Sequence, residues 1–426
     1  MGRTSFAGEK ESCIWESGKD VPILATGTLD EMEDTCVALK DKTLLILTPS
    51  YPNESDSLIA GTFVKYQVAE LRQHFRKIIV IAPVLRSFRC LKKDKFCKDY
   101  SYDNVEVYYP RSIYIPITWL SRIVIDNRIK AVERTIGKHH IHFDLIHAHF
   151  TWPSGNIGIK LKEKYGAPVV TTIHENGDWF NEEIQMNHPL INKAWSGADA
   201  LIRVNRKDVP VLQHYNEQVY CIPNGFPPIF HPIDTNIARN QLNLPKDSKI
   251  IFTLGNLIKR KGFNYLIDAM RIVCNQRSDV FCYIGGVGPD GDCLQKQIEE
   301  LCLGVKVNLL GSIPVDRLTL WMNACDLFAL PSLNEGNPTV MFETLGCGKP
   351  FVGTRVGGVP EVITSDDYGL LVEPADPEDL AEKILAALNR EWNRGEILRY
   401  AAQYTWENIA EEIMSVYAKV IVRDWD

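Results

Sequence analysis

The segment from Ser332 to Thr344, S-L-N-E-G-N-P-T-V-M-F-E-T, carries two glutamates, Glu335 and Glu343, with seven residues between them. Ser332 to Gly336 has the composition of a loop. Pro338 suits the first turn of a helix, where a missing N–H costs nothing. On that reading Glu343 lies about two turns further along, so one carboxylate stands off the helix tip and the other lies along its flank. A helix N-terminus with unpaired N–H groups attracts phosphate. Carboxylates just beyond and just behind it can accept hydrogen bonds from hydroxyls at the two ends of a diphosphate, which fits a nucleotide-sugar. The same spacing also suits a solvated helix with two ordinary surface glutamates.

The elements that must position these residues favour the first reading. Asp326-Leu-Phe-Ala-Leu-Pro331 is a buried-strand pattern that runs straight into the loop. The motif therefore sits at the carboxyl end of a strand, where open α/β sheets bind ligands. Similar β-rich runs start at residues 43, 77, 143, 169, 200 and 218, alternating with amphipathic helical stretches. The cluster P-N-G-F-P-P-I-F-H-P at 223–232 interrupts the pattern as a hinge, and a second series starts at 249, 280, 305, 326, 350 and 369. This alternation predicts an α/β protein with two doubly wound parallel-sheet domains facing a central cleft, the default ligand site. The expected divisions are a poorly ordered extension over 1–40, a first domain over 41–225, a second over 226–402 and a terminal segment over 403–426. Trp406 to Val422 has helical spacing.

Composition narrows the class. A chain of 426 residues with 45% hydrophobic and 24% charged residues is a soluble globular protein of more than one core. Its net charge of -7 argues against a general nucleic-acid binder. Eleven cysteines without a C-x-x-C pair suit reduced thiols in a cytoplasmic setting. Ile113 to Ile125, the best membrane-span candidate, is too short and contains Pro116 and Arg122. Arg3, Glu9 and Lys10 stand where a signal peptide would be apolar. Arg86 to Lys98 holds six basic residues and one acid, and 111–138 mixes six more basic residues with Trp119 and isoleucines. These read as a solvated face, or as a surface for peripheral contact with anionic lipid at the inner membrane face.

Three further constellations carry chemistry. Gly255-Asn-Leu-Ile-Lys-Arg-Lys261-Gly262 follows a strand and opens a helix, placing Lys261 within reach of a phosphate. Gly286-Val-Gly288-Pro-Asp-Gly291 satisfies G-x-G-x-x-G, but it follows the second strand of its domain, has Pro289 in the turn, and lacks the later ribose-holding acid. It is read as a turn, without NAD. Asp290-Gly-Asp292 is read as loop chemistry, and no metal is expected there. Five of ten histidines fall between His139 and His149, and only Asp144 accompanies them, so a zinc site is not expected. His174 ends a strand run and points from its carboxyl edge into the cleft, either as a site residue or as a hydrogen-bonded core histidine.

Taken together, the E-x7-E segment resembles the signature of the retaining family 4 (group 1) glycosyltransferases, which have the GT-B fold, two Rossmann-like domains around a cleft. The resemblance runs from 43 to about 422. It implies transfer of a sugar from a nucleoside diphosphate to an acceptor hydroxyl with retention, without a metal or other cofactor. The acceptor would be a glycan, a lipid-linked molecule or a small molecule in polysaccharide or glycoconjugate synthesis. Glu335 would contact the donor sugar and Glu343 the nucleotide ribose, with Gly336, Asn337, Pro338 and Thr339 at the diphosphate. Lys261 matches the family's G-R-L-x-x-x-K-G lysine, whereas Asn256 stands where an arginine is expected; Arg260 and Lys259 are candidate substitutes for it. The resemblance puts His174 beside the donor sugar, Gly61 in a first loop near donor or acceptor, the D-x-x-H-x-H strand on the acceptor side, and the last helix back across the first domain. A catalytically silent partner subunit and a sugar-nucleotide epimerase of the same fold are the alternatives.

Overall fold

The structure, a computed structural model, describes residues 39–56, 60–86, 97–113 and 122–423. Residues 1–38 of the expected 1–40 extension, most of the basic run at 86–98 and part of that at 111–138 lie outside the described residues. Among the described residues ten strands precede the 223–232 break: β1 (Thr43–Leu47), β2 (Lys77–Ile81), β3 (Val84–Arg86), β4 (Tyr100–Tyr102), β5 (Val105–Tyr108), β6 (Arg111–Ile113), β7 (Leu145–His149), β8 (Val169–Ile173), β9 (Ala200–Arg203) and β10 (Val219–Cys221). Six follow it: β11 (Lys249–Leu254), β12 (Val280–Gly285), β13 (Val307–Gly311), β14 (Leu327–Leu330), β15 (Phe351–Thr354) and β16 (Gly369–Val372).

Among the described residues the strands form an eight-stranded sheet ordered β10-β9-β8-β7-β1-β2-β5-β4, a six-stranded sheet ordered β13-β12-β11-β14-β15-β16, and the small pair β3-β6. Every pairing is parallel except β4 with β5. The unbroken apolar runs have their cause here. β1, β7, β8 and β9 are buried at every residue because helices cover both faces of the sheet. The fold is α/β, with two Rossmann-like parallel-sheet halves.

Strand order decides where the loops converge. In the first sheet the order reverses between β1 and β7, and in the second between β11 and β14. Loops leaving the carboxyl ends of two such strands diverge and open a crevice. One crevice is bounded by the loops carrying Gly61 and His149, the other by the loops carrying Lys261 and Glu335.

Two stretches of chain connect the halves, and they run side by side. Phe226 N–H donates to Tyr404 O (3.0 Å), and Trp406 N–H returns to Phe226 O (3.1 Å). The helix Trp406–Arg423 then packs into the core of the first half, with Trp406, Ile409, Ile413, Val416 and Tyr417 buried against residues of β1, β2 and β5.

Candidate active site

Glu335 lies in the loop after β14, and its carboxylate is enclosed by its own half of the molecule. Oε1 accepts hydrogen bonds from Lys261 Nζ (2.6 Å) and Ser332 Oγ (2.6 Å), and Oε2 lies 3.3 Å from Arg260 Nη1. Burial raises the carboxyl's pKa, but the charges of Lys261 and Arg260 and the hydrogen bonds from Lys261 and Ser332 outweigh it, holding Glu335 below the ordinary glutamate range. Lys261 and Arg260 come from the 3-10 turn Lys259–Lys261 after β11. The turn is pinned to the Glu335 loop by Leu333 N–H on Arg260 O (2.7 Å) and by Arg260 Nη1 on Asn334 O (2.7 Å). Lys259 is exposed, and so is Asn256.

The helix follows immediately, over Thr339–Gly346. Pro338 is its N-cap rather than its first-turn residue, and no side chain caps the helix. The N–H groups of Thr339 and Val340 therefore remain donors for an anion, while Met341 N–H turns back to Pro338 O (3.2 Å). Asn337 plays a part that the sequence did not suggest: Asn224 N–H donates to its Oδ1 (2.9 Å), and Asn224 Nδ2 donates to its carbonyl (2.8 Å), both buried. Its side chain thus ties the helix mouth to the hinge through Oδ1. Glu343 is buried on the helix flank. Desolvation pushes it up to about 7, against a hydrogen bond from Thr339. It faces the first half closely enough that, after burial, its charge raises Tyr66 on the helix Thr62–Leu71.

The first half contributes imidazoles. His149 Nδ1 and His174 Nε2 are 3.0 Å apart in stacked rings, with Phe63 and Phe150 against His174. His149 Nε2 and His174 Nδ1 are buried with no partner among the described residues. Burial lowers His149 to about 3; burial, then the charges of His149 and Arg203, put His174 well below the ordinary imidazole range. Both are neutral at pH 7. The loops meet at Gly336, where a Cβ would sit 3.1 Å from His174 O and 3.2 Å from Glu175 O. Around that contact Asn334 Nδ2 donates to Asp178 Oδ1, and Glu361 accepts from the N–H groups of Arg206 (2.6 Å) and Lys207 (3.0 Å).

One expectation needs correction. His147, read with His149 as lining the cleft, is fully buried and committed to Tyr417 Oη (2.5 Å, through Nδ1) and Thr172 Oγ1 (2.7 Å, through Nε2), so it docks the last helix. Gly61 also meets a need within the chain: at φ 83°, a Cβ there would lie 2.3 Å from Ser50 O. The glycines of G-x-G-x-x-G likewise admit backbone, since a Cβ on Gly286 would lie 1.8 Å from Gly255 O and one on Gly288 2.3 Å from Leu257 O. That turn thus buttresses the Lys261 loop. Sequence reasoning missed Ser332 and the pairing of His149 with His174. It missed Glu175 and Glu183 too, buried carboxyls whose Oε2 atoms have no partner among the described residues. Burial raises both, Glu183 to about 10. Among the described residues no group of three His, Cys, Asp or Glu side chains has metal-binding geometry.

Comparison with known proteins agrees with this geometry. Residues 60–228 match the Glycosyltransferase Family 4 model, and residues 234–405 match that of Glycosyl transferases group 1. The chain belongs to this family of glycosyltransferases. It is similar to the putative teichuronic acid biosynthesis glycosyltransferase TuaC of Bacillus subtilis, 29% identical over 80% of this chain and 88% of TuaC. Among solved structures, sucrose-phosphate synthase from Thermosynechococcus elongatus superposes with a TM-score of 0.73 at 20% identity, covering 90% of this chain and 100% of that one. HepE of Anabaena, in complex with UDP and glucose, superposes with a TM-score of 0.68 at 21% identity, covering 89% and 100%. These neighbours share the GT-B fold.

Proposed function

We propose that this glycosyltransferase moves a hexose from a nucleoside diphosphate to an acceptor hydroxyl with retention at the anomeric carbon. The observation that carries the reading is Glu335, ionised in a buried site between Lys261 and an uncapped helix N-terminus, with neutral His174 across the cleft. The diphosphate would lie on the N–H groups from Asn337 to Thr339, with Glu335 on the sugar and Glu343 on the ribose. HepE, which shares the fold, binds UDP and glucose.

As the bond from the anomeric carbon to the phosphate oxygen breaks, its electron pair stays on the diphosphate. Lys261 and the helix N–H groups stabilise that charge, and preorganised donors act most strongly on charge that develops during reaction. The acceptor oxygen bonds to the anomeric carbon on the face the diphosphate leaves, and its proton passes to a leaving phosphate oxygen. This scheme uses no protein nucleophile and no metal. His174, neutral, orients sugar hydroxyls, and closure of the halves excludes water. The acceptor is a glycan or a lipid-linked molecule, and a lipid-linked one would bring the protein to the inner membrane face. No helix among the described residues is long and apolar enough to cross a membrane.

The test is a screen of UDP-, GDP- and ADP-sugars with an acceptor panel, reading nucleoside diphosphate release and the product's anomeric configuration by proton NMR. Transfer with retention supports the reading, and an inverted product overturns it. Donor binding without transfer would indicate the silent subunit. Isomerised donor without acceptor would indicate the epimerase.

A further inference from the structure

Charge counting exposes a shortfall in the proposed donor site. Lys261 and Glu335 are paired at 2.6 Å, so together they are neutral, while a diphosphate brings about two negative charges. Asn256, on the same loop, supplies none. The missing cation stands next to Lys261. Arg260 reaches the same carboxylate from the other side, at 3.3 Å, so two cations share one anion. The Arg260 side chain is 27% exposed, so it is half-enclosed rather than solvated like Lys259. Only Nη1 is engaged, on Asn334 O and Glu335 Oε2. Nε and Nη2 donate to nothing among the described residues. A guanidinium offers five N–H groups in a planar fork that matches phosphate oxygens two at a time.

We infer that Arg260 is the second cation of the diphosphate site, doing from the turn before the helix Phe263–Gln276 the work that Asn256 leaves undone. The assignment rests on the donor reading above. Glu335 gathers both cations in the loop that leads into the helix, and an incoming diphosphate takes the free side of the guanidinium while Nη1 holds Asn334.

The experiment measures binding of UDP and UMP, GDP and GMP, and ADP and AMP by calorimetry to the full-length protein and to Arg260→Gln, Arg260→Lys and Asn256→Arg/Arg260→Gln. Glutamine retains a donor for Asn334 O but no charge. With the base that binds, Arg260→Gln is expected to weaken the diphosphate about tenfold while leaving the monophosphate within about twofold. Arg260→Lys is expected to fall between wild type and Arg260→Gln. The double variant regains most of the loss, because it restores a guanidinium from position 256 while position 260 stays uncharged. Equal weakening of mono- and diphosphate, no weakening at all, or a double variant as weak as Arg260→Gln overturns the assignment, provided melting curves show folded protein. A wild-type protein that binds none of the three diphosphates overturns the donor reading itself, and this assignment with it.

Discussion

The two faces of the cleft are buried to a similar degree and handle charge in opposite ways. On the second-half face Glu335 is ionised, because Lys261 and Arg260 lie within 2.6 and 3.3 Å of it. On the first-half face burial acts with little opposing charge: His149 and His174 are driven neutral, and Glu183 is pushed up to about 10. Arg203 is close, but its guanidinium is committed to Asp208 and to the carbonyls of Ile173 and Glu175. Burial alone therefore does not predict protonation; the partner does. The charged face suits an anion and a developing negative charge, and the neutral face suits hydroxyls.

Breaking the charged face should have the largest effect. Lys261→Ala removes the cation nearest Glu335, at 2.6 Å, and, with the diphosphate bound as proposed, steady-state assays with saturating acceptor should show kcat/KM for the donor down by about 10²–10³. Glu335→Gln should lower kcat about 10²-fold, by loss of sugar positioning. It should leave binding of the free diphosphate unweakened or tighter, because the carboxylate no longer competes for Lys261; calorimetry separates the two.

The neutral face gives an opposite result. A glutamate with a raised folded pKa makes the protein less stable as pH climbs above its unfolded value near 4.5, since the unfolded state releases a proton that the folded state keeps. Glu183→Gln removes that loss, so at pH 8 the variant should be more stable by up to about 5 kcal/mol, with the gain vanishing near pH 4 in denaturant titrations.

Glu343 sharpens the contrast, since burial sets it at about 7 without a cation. If ribose hydroxyls donate to its carboxylate, nucleotide affinity should rise with pH up to about 7 and fall by up to tenfold per unit below it. Glu343→Gln should flatten the profile, and calorimetry in buffers of differing ionisation enthalpy would detect the released proton. The smallest effect belongs to the imidazoles. His149→Asn, which keeps a hydrogen-bond partner for His174 Nε2, should lower kcat less than about tenfold. Neither it nor wild type should show an imidazole inflection in kcat between pH 5.5 and 8, and one that His174→Ala removes would contradict the neutral pair.

Much of this was readable from the residues. The apolar runs at 43, 77, 169, 249, 280 and 326 became buried parallel strands, because a two-sided core requires continuous rather than alternating hydrophobicity. β3 to β6 were missed: they are short, and β4 with β5 is half-exposed, so the apolar signal is weak. His147 and His149 are indistinguishable by pattern, yet one docks the last helix and the other pairs with His174.

The sequence by itself determined the two-sheet alternation, the hinge and the pairing of Glu335 with Glu343 across a helix start, because periodicity and backbone chemistry are local properties. Only the tertiary structure decided that Arg260 rather than Lys259 joins Lys261 at Glu335, that Asn337 serves the hinge, and that the first-half groups lose their charge. Those outcomes depend on distances between residues far apart in the chain and on what water can reach, and neither is written in the order of residues.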